Sequence, residues 1–253
     1  MYPPPQDFPG MQQHPQPPEY QQQPPPQQQQ QQPYMPHAVS QRQLPPQHMA
    51  TNEVPPAASS TPSPESVLSF QNGWDKLMGD HFTSIDEAEG ERLIVKSMTE
   101  GNALARGFCS FRGWGGMQRN IAEAFSAFSS QAASTNSPNA LAMTGYCYKN
   151  GFGTTKNVES GNASLNKAVD LDHAWAMGIM AYSYQHGDGV AVDAKEALRL
   201  YTCAAELGYA KAMYNLGELY HCGLLGIKRS KKKSVKFYKK AIEQNHQKAK
   251  TKI

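Results

Sequence analysis

The chain has 253 residues, of which 39% are hydrophobic and 18% charged, with a formal net charge of +3. It contains no run of about 18 apolar residues, the length a membrane-spanning helix needs. It also lacks a basic start followed by an apolar stretch, so no secretory signal is expected and we predict a cytoplasmic or nuclear protein.

The first 65 residues differ sharply in composition from the remainder. They hold 18 of the 19 prolines and a glutamine run from Gln27 to Gln32. Such a segment buries too little apolar surface to offset the entropy lost on ordering, so we predict a disordered Gln/Pro-rich tail over residues 1–65. Within it, Pro17, Pro18 and Tyr20 form a Pro-Pro-X-Tyr motif, the ligand of WW domains. The alternative is a chance match in a proline-rich tail.

Residues 66–83 lie between the tail and a periodic region. Apolar residues at Phe70, Trp74 and Leu77 predict a short helix there. Because the terminal units of a helical stack need a cap, we interpret 66–83 as an N-terminal cap.

A 36-residue repeat dominates the rest of the chain. Each copy has an alanine-rich start, a small residue, a tyrosine and a glycine-containing turn, and the copies run over Ala140–Gly153, Ala174–Gly189 and Ala210–Gly223. An earlier copy begins at Asn102, and a half unit begins at Asp86. Periods of this length are typical of stacked helical hairpins.

The residue types within a unit favour two helices joined by a turn. Small residues such as Ala176 and Ala181 let a neighbouring helix approach closely. The glycines that follow supply left-handed backbone conformations that end a helix, and Asp193 is placed to cap the next one. No stretch shows sustained alternation of apolar and polar residues, so strands are not expected and the fold class is all-α.

The unit from Ala174 to Tyr209 resembles the Sel1-like repeat family, helical relatives of the tetratricopeptide repeat. The resemblance covers roughly residues 84–246 and implies a right-handed α-solenoid of about four helix-turn-helix repeats. By composition, residues 247–253 form a basic C-terminal end beyond it. It also implies a non-enzymatic adaptor or regulatory subunit that binds other proteins. Fungal relatives by resemblance include chitin synthase activators and regulators of cell-cycle kinases.

The first helix of each pair lines the concave surface in helical-hairpin repeats, which indicates where a partner would bind. Two sets of equivalent positions lie one helical turn apart. The first set is Phe108, Tyr146, Tyr182 and Glu218, and the second is Phe111, Lys149, Gln185 and His221. Three aromatic residues in register predict a groove for a peptide or helix. Ordinary packing between helices is the alternative.

The last 26 residues are strongly basic. From Lys228 to Ile253 there are 11 lysines and arginines against one acidic residue, Glu243. The densest part consists of Lys228, Arg229, Lys231, Lys232 and Lys233. It predicts a solubilising cap, a nuclear-import signal or a docking site for an acidic partner. A nuclear, nucleic-acid-associated factor is the alternative function, although no base-reading motif accompanies the charge.

No pattern favours catalysis or cofactor binding. The glycine turns repeat with the solenoid period and lack the Lys-Ser/Thr of a phosphate loop. A nucleophile elbow is absent, and His186, His221 and Cys222 do not supply the four converging ligands of a zinc site. We therefore expect no cofactor, no metal and no small-molecule substrate. The four scattered cysteines are expected to be small buried hydrophobic residues rather than disulfides.

Overall fold

The computed structural model describes residues 61–253, which form helices joined by short loops. The helices are α1 (Pro64–Met78), α2 (Glu87–Thr99), α3 (Ala103–Arg112), α4 (Ile121–Thr135), α5 (Pro138–Asn150), α6 (Val158–Val169), α7 (Ala174–His186), α8 (Ala194–Glu206), α9 (Ala210–Cys222), α10 (Lys231–Glu243) and α11 (Gln247–Lys250). Residues 61–253 contain no strand, which confirms the predicted all-α class. The motif at Pro17, Pro18 and Tyr20 lies outside the described residues.

Ten of these helices pair into hairpins that share one register. Every first helix ends at a glycine in the left-handed conformation, with φ between 67° and 77°, at Gly79, Gly113, Gly151, Gly187 and Gly223. The residue that precedes each second helix lies six or seven positions after this glycine. Its backbone N–H donates to the carbonyl of the residue three positions before the glycine. These pairs are Asp86 with Lys76, Asn120 with Ser110, Asn157 with Tyr148, Asp193 with Tyr184 and Ser230 with Tyr220.

The same residues cap the second helices. Asp193 accepts hydrogen bonds from the backbone N–H groups of Lys195 and Glu196, and Asn157 accepts one from Ser160. An aspartate, asparagine or serine at this position satisfies amides that the first turn leaves unpaired. The recurring glycine and cap residue therefore fix where each hairpin turns.

The first hairpin, α1 with α2, extends the predicted array from about four repeats to five. The segment 66–83, interpreted as a cap, contains most of α1 and the turn after it, and the predicted boundary at residue 84 falls inside the turn. Gly73 occupies the position of Gly107 and Gly145, and a Cβ added there would lie 3.0 Å from the Gly90 carbonyl oxygen of α2. The close helix crossing of the later repeats is thus already present in the first.

The stack curls so strongly that α1 and the turn after it touch the first helix of every other repeat. The rings of Phe70 and Phe108 of α3 are 6.4 Å apart, and Asn139 of α5 donates to the Gln71 side chain at 2.8 Å. Trp74 packs on Trp175 of α7, and the backbone N–H of Ala210 in α9 donates to the Gly79 carbonyl at 3.0 Å. α1 therefore covers much of the inner face that the first helices line.

The turn after α1 also reaches the end of the fifth repeat. The Ile85 backbone N–H donates to the Gln244 carbonyl at 3.0 Å, and the Asn245 side-chain amide donates to the Ile85 carbonyl at 3.0 Å. These two hydrogen bonds, one of them between residues 160 positions apart in sequence, join the first hairpin to the last.

Candidate partner-binding surface

At the N-terminal end of the inner face, the predicted groove residues are buried in an aromatic cluster. Phe108 is 2% exposed and Tyr146 9%. The Phe108 ring lies 5.8 Å from the ring of Trp74, which itself lies 5.4 Å from Trp175. Trp175 in turn lies 5.3 Å from Tyr146. Edge and tilted contacts at these distances are favourable aromatic packing, and they leave no ring open to a partner.

Lys149 and Phe111 are buried as well. The Lys149 ammonium forms an ion pair with Asp188 at 2.9 Å and donates hydrogen bonds to Asn162 at 2.7 Å and Ser183 at 3.1 Å. Burial lowers the pKa of this lysine, and the Asp188 carboxylate opposes that shift. The charged group therefore links the third repeat to the fourth and is not available to a ligand.

The remaining four predicted residues belong to the first helices of the fourth and fifth repeats, and each is at least partly exposed to solvent. Tyr182 is 39% exposed, and its ring stacks on His186 at 4.0 Å. Gln185 is half-buried and accepts a hydrogen bond from the Tyr201 hydroxyl at 3.1 Å. His221 is exposed and Glu218 half-buried. Glu218 accepts from the Tyr238 hydroxyl and pairs with Lys252 at 3.1 Å.

The expectation of a groove open along all repeats needs a correction. Phe108, Phe111, Tyr146 and Lys149 are buried and support the fold. Phe108 packs on Trp74 of the first hairpin, whereas the other three contact residues of the second to fourth repeats. Tyr182, Gln185, Glu218 and His221 remain candidates, and we call these four residues the open inner surface. Sequence reasoning missed Trp175, although a tryptophan at the position held by Asn139 and Lys211 in the neighbouring repeats was a detectable signal.

The predicted basic run spans the turn between α9 and α10 and the first turn of α10. All five of its side chains, Lys228, Arg229, Lys231, Lys232 and Lys233, are exposed. The Lys233 ammonium lies 4.9 Å from the centre of the Tyr220 ring, a cation–π contact, and Tyr220 stacks on Phe237. The Arg229 Nε–H donates to the His221 backbone carbonyl at 3.0 Å, so this run adjoins His221.

Residues 61–253 contain no cluster of metal-ligating side chains and no disulfide. No group of three or more His, Cys, Asp or Glu side chains in this part of the chain could hold a metal ion. The described cysteines are free thiols; Cys109 and Cys147 are buried as predicted, whereas Cys203 is half-buried and Cys222 is exposed. Among the described helices, none combines the length and apolarity needed to cross a membrane.

The register and the helix pairing lead to a family. A sequence profile of the Sel1 repeat matches residues 102–126, 138–173, 174–209 and 210–246, just over half of the chain. The chain belongs to the Sel1 repeat family. The matched ranges coincide with the second to fifth hairpins, and the unmatched gap contains the end of α4, where the repeat's characteristic residues are lost.

Known relatives share this repeat region. The chain is 31% identical over 122 residues to chitin synthase regulatory factor 3 of Schizosaccharomyces pombe, covering 46% of this chain and 13% of that protein. It is 30% identical over 135 residues to chitin synthase regulatory factor 2 of the same yeast, covering 51% and 26% respectively. The chain thus spans at most about a quarter of either relative.

Solved structures show the same fold. The crystal structure of a Sel1 repeat protein from Oxalobacter formigenes superposes with a TM-score of 0.54 at 26% identity, covering 70% of each chain. Sel1 repeats form scaffolds that typically mediate protein binding and are typically non-enzymatic.

Proposed function

We propose that this Sel1 repeat protein is a non-enzymatic adaptor or regulatory subunit that binds a partner protein on the open inner surface of its fourth and fifth repeats. Its similarity to two chitin synthase regulatory factors supports a regulatory role, with chitin synthase control as the process. The Pro-rich tail is a second binding element in this proposal, with Pro17, Pro18 and Tyr20 as a WW-domain ligand.

The proposal rests on a difference in solvent exposure between equivalent positions of the first three and the last two repeats. Tyr182 and Glu218 occupy the positions of Trp74, Phe108 and Tyr146, yet only the last two repeats present this position to solvent. The open inner surface combines a tyrosine ring with an amide, a carboxylate and an imidazole. Rigid aromatic residues beside polar groups are typical of the residues that contribute most to protein interfaces.

A double substitution tests this surface in the full chain. We expect Tyr182→Ala with His221→Ala to lower recovery of the specific partners at least about tenfold in quantitative co-purification, which corresponds to about 1.4 kcal/mol of binding free energy. Both side chains are exposed, so helicity measured by circular dichroism should stay at the wild-type value.

The matched control replaces two exposed residues on second helices, Glu159→Ala with Lys195→Ala. We expect this variant to recover partners at the wild-type level. If the Tyr182/His221 variant also recovers them unchanged, the open inner surface is not the binding site. If only deletion of residues 1–60 removes the partners, the tail alone binds them.

A further inference from the structure

The fifth repeat carries a charge arrangement that its folding does not explain. The second helices of the first four repeats all have acidic residues in the first turn, and three of them place a glutamate three residues after the cap, at Glu89, Glu123 and Glu196. In α10 that position is Lys233, and its first turn contains no acidic residue but three lysines. Because the N-terminus of a helix carries partial positive charge, lysines there oppose helix formation.

The positive charge continues along one exposed face of α10. Lys232, Lys236 and Lys239 follow each other at spacings of four and three residues, so they share a face of the helix. The buried residues Ser234 and Tyr238 lie on the opposite side. We call this face, together with the exposed Lys231, Lys233 and Lys240 of the same helix and Lys228 and Arg229 of the preceding turn, the basic surface.

None of these charges is neutralised within the described residues. Among residues 61–253, no carboxylate lies within 4.0 Å of the charged group of Lys228, Arg229 or any lysine from 231 to 240. The nearest acidic side chain along the helix, Glu243, stands at its far end. Mutual repulsion among so many exposed positive charges is relieved when an oppositely charged molecule binds.

We propose that the basic surface docks an acidic segment of a partner protein. From Lys231 to Lys240 the helix rises roughly 14 Å, which an extended chain spans with about four to five residues. A run of five to eight residues rich in Asp and Glu therefore matches the surface in length and charge.

The aromatic residues beside the lysines favour a protein segment over single-stranded nucleic acid. Base stacking needs an open ring face. The Tyr220 ring stacks on Phe237 with an interplanar angle of 4°, and the Lys233 ammonium lies over the Tyr220 ring, so its faces are already in contact. The Arg229 Nε–H donates to the His221 backbone carbonyl at 3.0 Å, so the basic surface adjoins the open inner surface. Changing Lys231, Lys232 and Lys233 leaves the four residues of the open inner surface intact, so failure of this inference can be told apart from failure of the proposed function.

Binding of a labelled peptide to the full chain tests the proposal by fluorescence anisotropy. The probe is a 12-residue peptide with eight Asp and Glu residues in its centre, and a peptide with equal numbers of Lys and Glu is the control. We expect the acidic probe to bind at physiological salt and to lose affinity as salt is raised. Changing Lys231→Glu, Lys232→Glu and Lys233→Glu should weaken it at least about tenfold, since each lost charge contact adds to the effect.

Two features make the result decisive. The triple change restores acidic residues to the first turn of α10, so its melting temperature should equal or exceed that of the wild type. The control Lys156→Glu, Lys167→Glu and Lys195→Glu changes net charge equally on other exposed residues and should weaken binding less than about threefold. The proposal is overturned if the acidic probe does not bind, if both triple variants weaken it equally, or if a 15-nucleotide RNA or a 20-base-pair DNA duplex binds the same lysines more tightly.

Discussion

Replacing Trp74 with alanine is expected to lower the free energy of unfolding by about 4 kcal/mol, the usual cost of removing a large aromatic side chain from a core. Trp74 has no exposed surface and packs against Phe70, Phe108, His173 and Trp175. These contacts join α1 to α3 and α7. The substitution therefore leaves a cavity at the point where the first hairpin meets the inner face.

The loss has a second, polar component. The Trp74 indole N–H donates to Asp80 Oδ2 at 3.1 Å, and Asp80 is buried. Without the indole, the buried carboxyl group loses a hydrogen bond that it cannot replace from water. This loss lowers the free energy of unfolding further, beyond the effect of the cavity.

Urea unfolding followed by circular dichroism measures this effect. The matched control is Leu68→Ala, an apolar truncation on the same helix at a side chain that is 60% exposed, which should change stability by less than about 0.5 kcal/mol. Equal stability of the two variants would show that α1 does not pack into the stack in this way.

The substitution Asp80→Asn is expected to raise the free energy of unfolding, relative to that of the wild type, as the pH increases from 4 to 8. Burial raises the pKa of the Asp80 carboxyl group from 3.8 to about 7, and the neighbouring Asp75 charge acts in the same direction. The Trp74 hydrogen bond and the His81 charge oppose the shift. No donor among the described residues reaches the second carboxyl oxygen, Oδ1.

The direction of the effect follows from proton binding. Below pH 3.8 the group is protonated in both the folded and unfolded chains, and its stabilising contribution is complete. Between pH 3.8 and about 7 only the folded chain holds the proton, so rising pH favours unfolding. The substitution removes this loss, and the stability of the variant relative to wild type should therefore increase by about 4 kcal/mol from pH 4 to pH 8.

A second buried group acts in the opposite sense and shapes the wild-type profile. Burial lowers the pKa of His173 from 6.5 to about 3, so its contribution is complete above pH 6.5 and is lost as the pH falls. The two slopes partly cancel in the wild type between pH 4 and 6.5. In the Asp80→Asn variant only the His173 effect remains, so its free energy of unfolding should fall as the pH is lowered.

Urea midpoints across pH 4–8 test this prediction. The control is Asp172→Asn, which removes an exposed carboxylate of the same type. The expectation for the control is a difference from wild type that stays constant within about 0.5 kcal/mol over this range. A constant difference for Asp80→Asn would show that Asp80 does not hold a proton in the folded chain.

The hairpins could be predicted from sequence because local residues determine them. Glycines such as Gly151 and Gly187 end the first helices, and residues such as Asp193 begin the second helices through bonds that span only a few positions. α1 escaped assignment as a repeat because Ser66 and Leu68 stand where Ala174 and Ala176 begin the fourth repeat. It still keeps the glycine at Gly73 and the turn glycine at Gly79.

The openness of the inner face could not be predicted in the same way. Phe108, Tyr146 and Tyr182 are equivalent in sequence register, yet the first two are buried and the third is exposed. The difference arises from the curvature of the whole stack, which brings Trp74 against Trp175 across three repeats. Small rotations between successive hairpins add up to this curvature, and no single unit encodes it.

Site-specific photo-crosslinking in cells tests the central claim most directly. A photoreactive phenylalanine analogue would replace Tyr182 or His221 on the open inner surface, or Glu159 on a second helix as the comparison. The account predicts covalent adducts with the same partner protein from positions 182 and 221 and none from 159. Adducts from 159 alone, or none from 182 and 221 while the partner still co-purifies, would contradict it.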